Sequence, residues 1–178
     1  MSTSHRRLYD PAFLKLQVVG NGNTDDVSGH GATDTATAVT YSDGRFGHTV
    51  MTFNGTTSKV AYGNIGSIRT IAFWVNPVTT TEELILVDTG KDIMVSAGTI
   101  TYTGLTADAT YVDGKLSTTL VAGVWQHVVC VLNAAVAATT FGLANDGTNY
   151  GACNMASVRA YVPNLTGDEI QALYLSER

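Results

Sequence analysis

Two segments of the chain, residues 70–76 and 126–132, carry apolar side chains at both odd and even positions. This feature constrains the fold most. Successive side chains of a strand point to opposite faces, so each segment is apolar on both faces. A strand of this kind is covered on both sides. One face therefore belongs to a core between two sheets, and the other requires a loop, a helix or a partner chain.

The other candidate strands are short and are separated by Gly, Asn and Asp residues, which supply turns. Charged residues make up only 14% of the chain and hydrophobic residues 44%, which excludes disorder. Abundant Thr and Val favour strands. This spacing predicts an all-β fold, a two-sheet antiparallel jelly-roll sandwich. The predicted strands, with these two segments included, are residues 13–19, 49–53, 59–62, 70–76, 83–88, 93–96, 99–102, 110–112, 126–132, 140–143 and 157–162.

Local signals mark one hairpin and one helix. The pair Asp113-Gly114 is a strong signal for a tight hairpin turn. Thr166 and Glu169 form a capping box, in which each residue bonds the backbone of the other. The apolar residues that follow fall on one stripe, so we expect one short C-terminal helix that docks on the sandwich.

The charge and the apolar runs exclude two classes of partner. The net charge of −5 and the pI near 5.1 argue against nucleic-acid binding, which needs a basic surface. No apolar run approaches the roughly 20 residues of a membrane helix, and the N-terminus has no signal-peptide pattern. We expect a flexible basic arm at residues 1–7 and a single domain at residues 8–178. The protein is then either mature or made in the cytoplasm without a signal peptide.

Several motifs, in a fixed order, resemble laminin-G-like and concanavalin A-like lectin jelly rolls, of the type found in phage structural proteins. The resemblance covers about residues 8–178 and implies the same sandwich. The motifs are Asp25-Asp26-Val27-Ser28-Gly29-His30-Gly31, Gly44-Arg45-Phe46-Gly47, Phe53-Asn54-Gly55, Phe73-Trp74-Val75-Asn76-Pro77, Gly123-Val124-Trp125-Gln126-His127-Val128 and Val158-Arg159-Ala160-Tyr161.

The resemblance also raises the question of calcium. The family often has two acidic residues just before the Val-Arg-x-Tyr step, where this chain has Ala156 and Ser157. Calcium requires oxygen ligands, so this departure counts against a family-type site. Asp25 and Asp26 remain weak candidate ligands, although turn capping through Asx hydrogen bonds is the stronger interpretation. We expect no cofactor, with calcium as the one candidate.

Catalytic patterns are missing from the sequence. Glycosidases of concanavalin A-like fold place carboxylates at alternating strand positions, whereas none of the four Glu residues stands two positions from another acid. Glu82 and Glu83 are adjacent, so a strand sends them to opposite faces. His127 and Trp125 share a face, and packing is the favoured role for both. We expect no enzymatic activity, and structural roles for Trp74, Trp125, His127 and Tyr161.

Two functions fit this profile. The first is a virion or particle-surface protein, such as a capsid decoration, head-fibre or tail component, that assembles with capsid or tail proteins and with its own copies. Surplus apolar strand faces and low charge favour this hypothesis, and host-surface binding would add to it. The alternative is a lectin-like module that binds surface glycans, assisted or not by calcium. Exposed aromatic residues supply platforms for sugars, and the candidates are Tyr102, Tyr111 and Tyr150. A partner domain of a larger enzyme assembly is the third and weakest hypothesis.

Overall fold

The computed structural model describes residues 8–44 and 47–177, so the predicted basic arm and the pair Arg45-Phe46 lie outside the described residues. Most of the observed strands extend or trim a predicted one by a few residues. The strands are β1 (Leu14–Val18), β2 (Thr35–Thr37), β3 (Thr40–Asp43), β4 (Thr49–Asn54), β5 (Lys59–Gly63), β6 (Gly66–Pro77), β7 (Glu82–Asp88), β8 (Lys91–Ser96), β9 (Thr99–Thr103), β10 (Ala107–Val112), β11 (Lys115–Leu116), β12 (Gln126–Ala138), β13 (Phe141–Leu143) and β14 (Ala152–Tyr161). The helix α1 (Gly167–Ser176) follows them.

Two antiparallel sheets form the predicted sandwich. Sheet A has the strand order β11-β10-β12-β6-β14-β4-β3, and β1 also pairs with β14. Sheet B has the order β2-β5-β13-β7-β8-β9. The two doubly apolar segments lie in β6 and β12, which pair with each other near the middle of sheet A. The fold is therefore all-β with a short C-terminal helix.

The core lies between the sheets and consists of apolar side chains from both inner faces. Ile71 and Phe73 of β6 and Val128 of β12 contribute from sheet A, and Ile93 and Phe141 contribute from sheet B. All five are completely buried. Cys130 and Cys153 are buried in the same core as free thiols. Burial raises the pKa of the Cys130 thiol to about 12, so it stays protonated.

Helix α1 covers the second apolar face of β6 and β12. Ala72 and Val129 on the outer face of sheet A pack with Ile170 and Leu173 of the helix, together with the buried Leu165. The sequence left a loop, a helix or a partner chain as the element that covers this face, and in the structure it is the helix. One reason for expecting assembly with other copies, a surplus apolar face, is satisfied within the chain itself.

The local signals act as predicted. Thr166 Oγ1 accepts a hydrogen bond from the backbone N–H of Glu169, and Glu169 Oε2 accepts one from the backbone N–H of Thr166. Asp113 and Gly114 join β10 to β11 with φ of 51° and 74°, which is the left-handed pair that a tight hairpin turn needs. The sequence did not predict β2 and β3, because every residue of these strands is exposed and no apolar alternation marks them.

Candidate functional site

The three tyrosines predicted to bind glycans lie in three separate places. Tyr102 on β9 packs against the core at the open side of the sandwich. Tyr111 on β10 packs with the apolar cluster beneath helix α1. Tyr150 is next to β5, where Lys59 Nζ lies 5.8 Å from the centre of its ring. The structure does not bring the three together, and one site can use at most one of them.

Tyr102 lines an open cleft of about 820 Å³ between the last strands of the two sheets. Strand β9 ends sheet B, and β10 with β11 ends sheet A. Since β11 has two residues and pairs only with Tyr111 and Val112, most of β10 is left at the border of the cleft. We call this cleft the edge groove. Its lining includes Thr101, Tyr102, Leu105, Asp108, Thr110, Leu116 and Ser117.

The edge groove combines apolar side chains with hydroxyl groups. Leu116 is 72% exposed on its rim, and Leu105 is half-buried. The Tyr102 hydroxyl lies 2.5 Å from Thr110 Oγ1, and burial raises the pKa of Tyr102, so the phenol stays neutral. Asp108 adds a carboxylate, 3.9 Å from the Arg69 guanidinium. This lining suits a ligand that has both an apolar surface and several hydroxyls.

Asp26 organises the turn that carries the first family-like motif. Its Oδ1 accepts hydrogen bonds from the backbone N–H groups of Gln17 and Ser28, and its Oδ2 accepts from the Ser28 hydroxyl and the backbone N–H of Ala32. Asp25 Oδ2 accepts from the Asn23 side chain. Asp26 thus caps the turn through Asx-type bonds to the backbone, whereas the Asp25 contact is with a side chain. Calcium binding at this turn stays a prediction.

The carboxylates of sheet B do not form a catalytic pair. Glu82 accepts hydrogen bonds from the backbone N–H groups of Thr79 and Ala152, whereas Glu83 lies on the opposite face of β7. Burial, with Asp146 and other acids nearby, raises the pKa of Glu83 to about 7. Among the described residues, no group of three or more His, Cys, Asp or Glu could hold a metal ion.

A β-bulge in β14 determines which way Arg159 points. Ala156 pairs with Trp74 and Arg159 with Ala72, so β14 has one more residue than β6 between these pairs. The bulge contains Ser157, whose φ is 50°. Because side chains alternate along a strand, one extra residue reverses the facing of those that follow. Arg159 therefore points to the outer face of sheet A instead of the core.

The outer face of sheet A holds a buried polar cluster, which we call the carboxylate cluster: Trp74, His127, Arg159 and Glu177. Trp74 and His127 are opposite each other on β6 and β12. Glu177, just after helix α1, forms an ion pair with Arg159 through Oε1. Its Oε2 accepts a hydrogen bond of 3.0 Å from the Trp74 indole N–H and lies 3.8 Å from His127 Nε2.

The residues predicted to be structural are buried or partly buried. His127 is completely buried, with the Trp74 and Tyr174 ring centres 5.1 and 5.9 Å away. Tyr161 is completely buried, whereas Trp125 is only half-buried against the cluster around Trp74. Glu177 had no signal in the sequence. Arg159 had one, a charged residue inside an otherwise apolar strand.

Neither protein-family models nor curated proteins match the chain. Solved structures do. Domain 4 of AbnA, an extracellular GH43 arabinanase from Geobacillus stearothermophilus, was solved with arabinotriose. It matches 90% of this chain and 98% of its own, with a TM-score of 0.61 and 17% identity. The binding domain of Paraclostridial Mosquitocidal Protein 1 matches 94% of this chain, with a TM-score of 0.61 and 15% identity.

A structure of botulinum neurotoxin type C, a toxin that depends on interaction with two ganglioside molecules to enter cells, matches 94% of this chain with a TM-score of 0.57 and 12% identity. The chain spans about half the length of this structure and of the mosquitocidal binding domain, 52% and 53%. At these identities the likeness establishes the β-sandwich fold alone, consistent with a lectin-like jelly roll. None of the described helices is long and apolar enough to cross a membrane.

Proposed function

We propose that the protein is a non-catalytic carbohydrate-binding module that holds a short oligosaccharide in the edge groove. The observation that carries this proposal is the lining of the groove, in which Tyr102, Leu105 and Leu116 stand together with hydroxyl side chains. A sugar ring has apolar C–H faces and a rim of hydroxyls, so it requires both kinds of contact. The volume of about 820 Å³ lies within the range of small-molecule sites.

The structural neighbours support the proposal in two ways. The AbnA domain is solved with a bound arabinotriose, and botulinum neurotoxin type C depends on gangliosides. The mosquitocidal neighbour is likewise a binding domain. A soluble oligosaccharide of pentose or hexose units is therefore the ligand class to test first.

A glycan array, run with calcium and with a chelator, tests the proposal directly. We expect binding to one class of oligosaccharide. If this binding requires calcium, the result would support Asp25 and Asp26 as calcium ligands. Leu116→Ser should then weaken the binding by about tenfold or more, because it removes apolar contact area from the rim. The matched control is Leu175→Ser on helix α1, because Leu175 is also exposed, at 53%, and lies outside the groove lining. An array without any ligand, or equal loss in both variants, would contradict the edge groove.

The particle-surface hypothesis stays a prediction. Helix α1 already covers the second apolar face of β6 and β12, so that face no longer favours assembly. Light scattering, which measures the oligomeric state, and a binding assay with purified particles test this hypothesis separately. A monomer that does not bind particles would exclude it.

A further inference from the structure

We propose that Trp74, His127 and Arg159 form a carboxylate-binding site that Glu177 occupies in the free protein. A small hydroxylated carboxylate, such as a uronic acid, would take over the site when Glu177 moves out. The proposal does not depend on the edge groove, which is lined by other residues.

Sheet A positions the three side chains through contacts that are independent of Glu177. Trp74 packs with Val50 and Ala156, and the bulge at Ser157 fixes the direction of Arg159. Trp74, His127 and Arg159 are 4%, 0% and 7% exposed. Donors that are rigid and shielded from water bind a carboxylate more strongly than exposed donors. The site is therefore preorganised for any carboxylate, whether or not it belongs to this chain.

Arg159 retains unused binding capacity. Its Nε atom is buried and has no hydrogen-bond partner among the described residues, although the Tyr161 hydroxyl interacts with the same guanidinium. A buried donor without a partner carries a desolvation cost, which a ligand that accepts from it would relieve. A carboxylate that pairs side by side with the guanidinium through Nε would make this second bond.

The end of helix α1 opposes part of the attraction that holds Glu177 in the carboxylate cluster. The carbonyl end of a helix has a partial negative charge, which disfavours a carboxylate, and the last turn of α1 contains no basic residue. Leu175 and Ser176 in this turn are exposed. Releasing Glu177 therefore uncovers little apolar surface, while Ile170 and Leu173 keep the rest of the helix docked.

A cleft of about 340 Å³ opens directly over Arg159 and Glu177. Asn21, His48 and Ser157 line it with polar groups that can bond hydroxyls. Its volume is near the lower limit of small-molecule sites, which suits one sugar ring and not a folded partner. The cleft thus gives a hydroxylated carboxylate a path to Arg159 from solvent.

The variant Glu177→Ala tests the proposal, because it empties the site without altering the three donors. We expect sodium glucuronate to raise the melting temperature of this variant in a saturable way, while glucose has no effect. The wild type should need a concentration higher by about tenfold or more, because only its open fraction can bind. Asp168→Ala, an acidic-to-neutral change in the first turn of the same helix, should respond as the wild type does.

Trp74→Phe, combined with Glu177→Ala, should weaken glucuronate binding, since it removes the indole donor and keeps an aromatic ring. Leu116→Ser should leave glucuronate binding unchanged, which separates this site from the edge groove. If Glu177→Ala does not fold, Glu177→Gln takes its place, because a neutral amide competes less well than a carboxylate for Arg159. A response no larger than that to sodium chloride at equal ionic strength would overturn the proposal. An equal response to acetate would overturn the assignment of a sugar acid.

Discussion

The doubly apolar segments of β6 and β12 in sheet A are buried on both faces, but in different ways. On the inner face, Phe73, Val128 and their neighbours pack against sheet B through apolar side chains. On the outer face, helix α1 covers hydrocarbon over its middle turns and an ion pair, Arg159–Glu177, at its end. The same strands β6 and β12 therefore have one face that depends on apolar contact and another that depends in part on matched charges.

The difference shows which contacts tolerate change. Hydrophobic burial has no direction, and its free energy scales with the area removed from water. A buried ion pair instead requires both partners, because removal of one leaves an uncompensated charge in a medium of low dielectric constant. We therefore expect the outer face to respond to single and double substitutions in a way that the inner face does not.

On the outer face, the largest effect should come from breaking the ion pair. Arg159→Met should lower the free energy of unfolding by about 2–3 kcal/mol, because Glu177 must either stay buried without its partner or leave the cluster. Arg159→Met with Glu177→Met should cost less than Arg159→Met alone, since the second change removes the stranded charge. Denaturant unfolding measures both.

Lys91→Met provides the control. It breaks a partly exposed ion pair with Asp88, 3.2 Å long, on sheet B, and should cost at most about 1 kcal/mol. Additive losses in the Arg159 and Glu177 variants would show that the outer face behaves like the inner one.

A smaller effect is expected for Trp125. The sequence predicts a buried tryptophan, whose truncation costs about 3–5 kcal/mol. The structure leaves Trp125 half-buried at the margin of the outer face, so we expect Trp125→Ala to cost about 1–2 kcal/mol. Phe73→Ala on the inner face, where the ring is completely buried, should cost the full 3–5 kcal/mol or so. Equal losses of melting temperature in the two variants would contradict this ranking.

The apolar inner face of sheet A could be predicted from the sequence because it follows from one local rule, the alternation of side chains along a strand. Apolar residues at alternating positions in residues 70–76 and 126–132 give the strands, their facing and the sandwich between them. The capping box at Thr166 likewise involves atoms three residues apart. Such features can be read locally because the atoms that make them are neighbours along the chain.

The carboxylate cluster could not be predicted in this way. Its four residues come from three strands and the end of a helix, and the facing of Arg159 depends on one extra residue at Ser157. A regular alternation would have placed Arg159 in the core. The candidate tyrosines failed to converge for a related reason, since exposure on a strand says nothing about which strands become neighbours.

The smallest predicted effect concerns Glu83 on the outer face of sheet B. Among the described residues, helix α1 packs on sheet A and does not cover this face. Burial raises its pKa from 4.5 to about 7, so the folded state holds a proton that the unfolded state releases between these values. Its contribution to stability is therefore full below pH 4.5 and is lost as the pH rises through 7. Glu83→Gln should be more stable than the wild type at pH 8 by about 1 kcal/mol, reduced because the side chain is half-exposed, and equal to it at pH 4. Asp43→Asn, at an exposed carboxyl of β3, is the control. A difference in the free energy of unfolding between Glu83→Gln and the wild type that does not vary with pH would contradict the prediction.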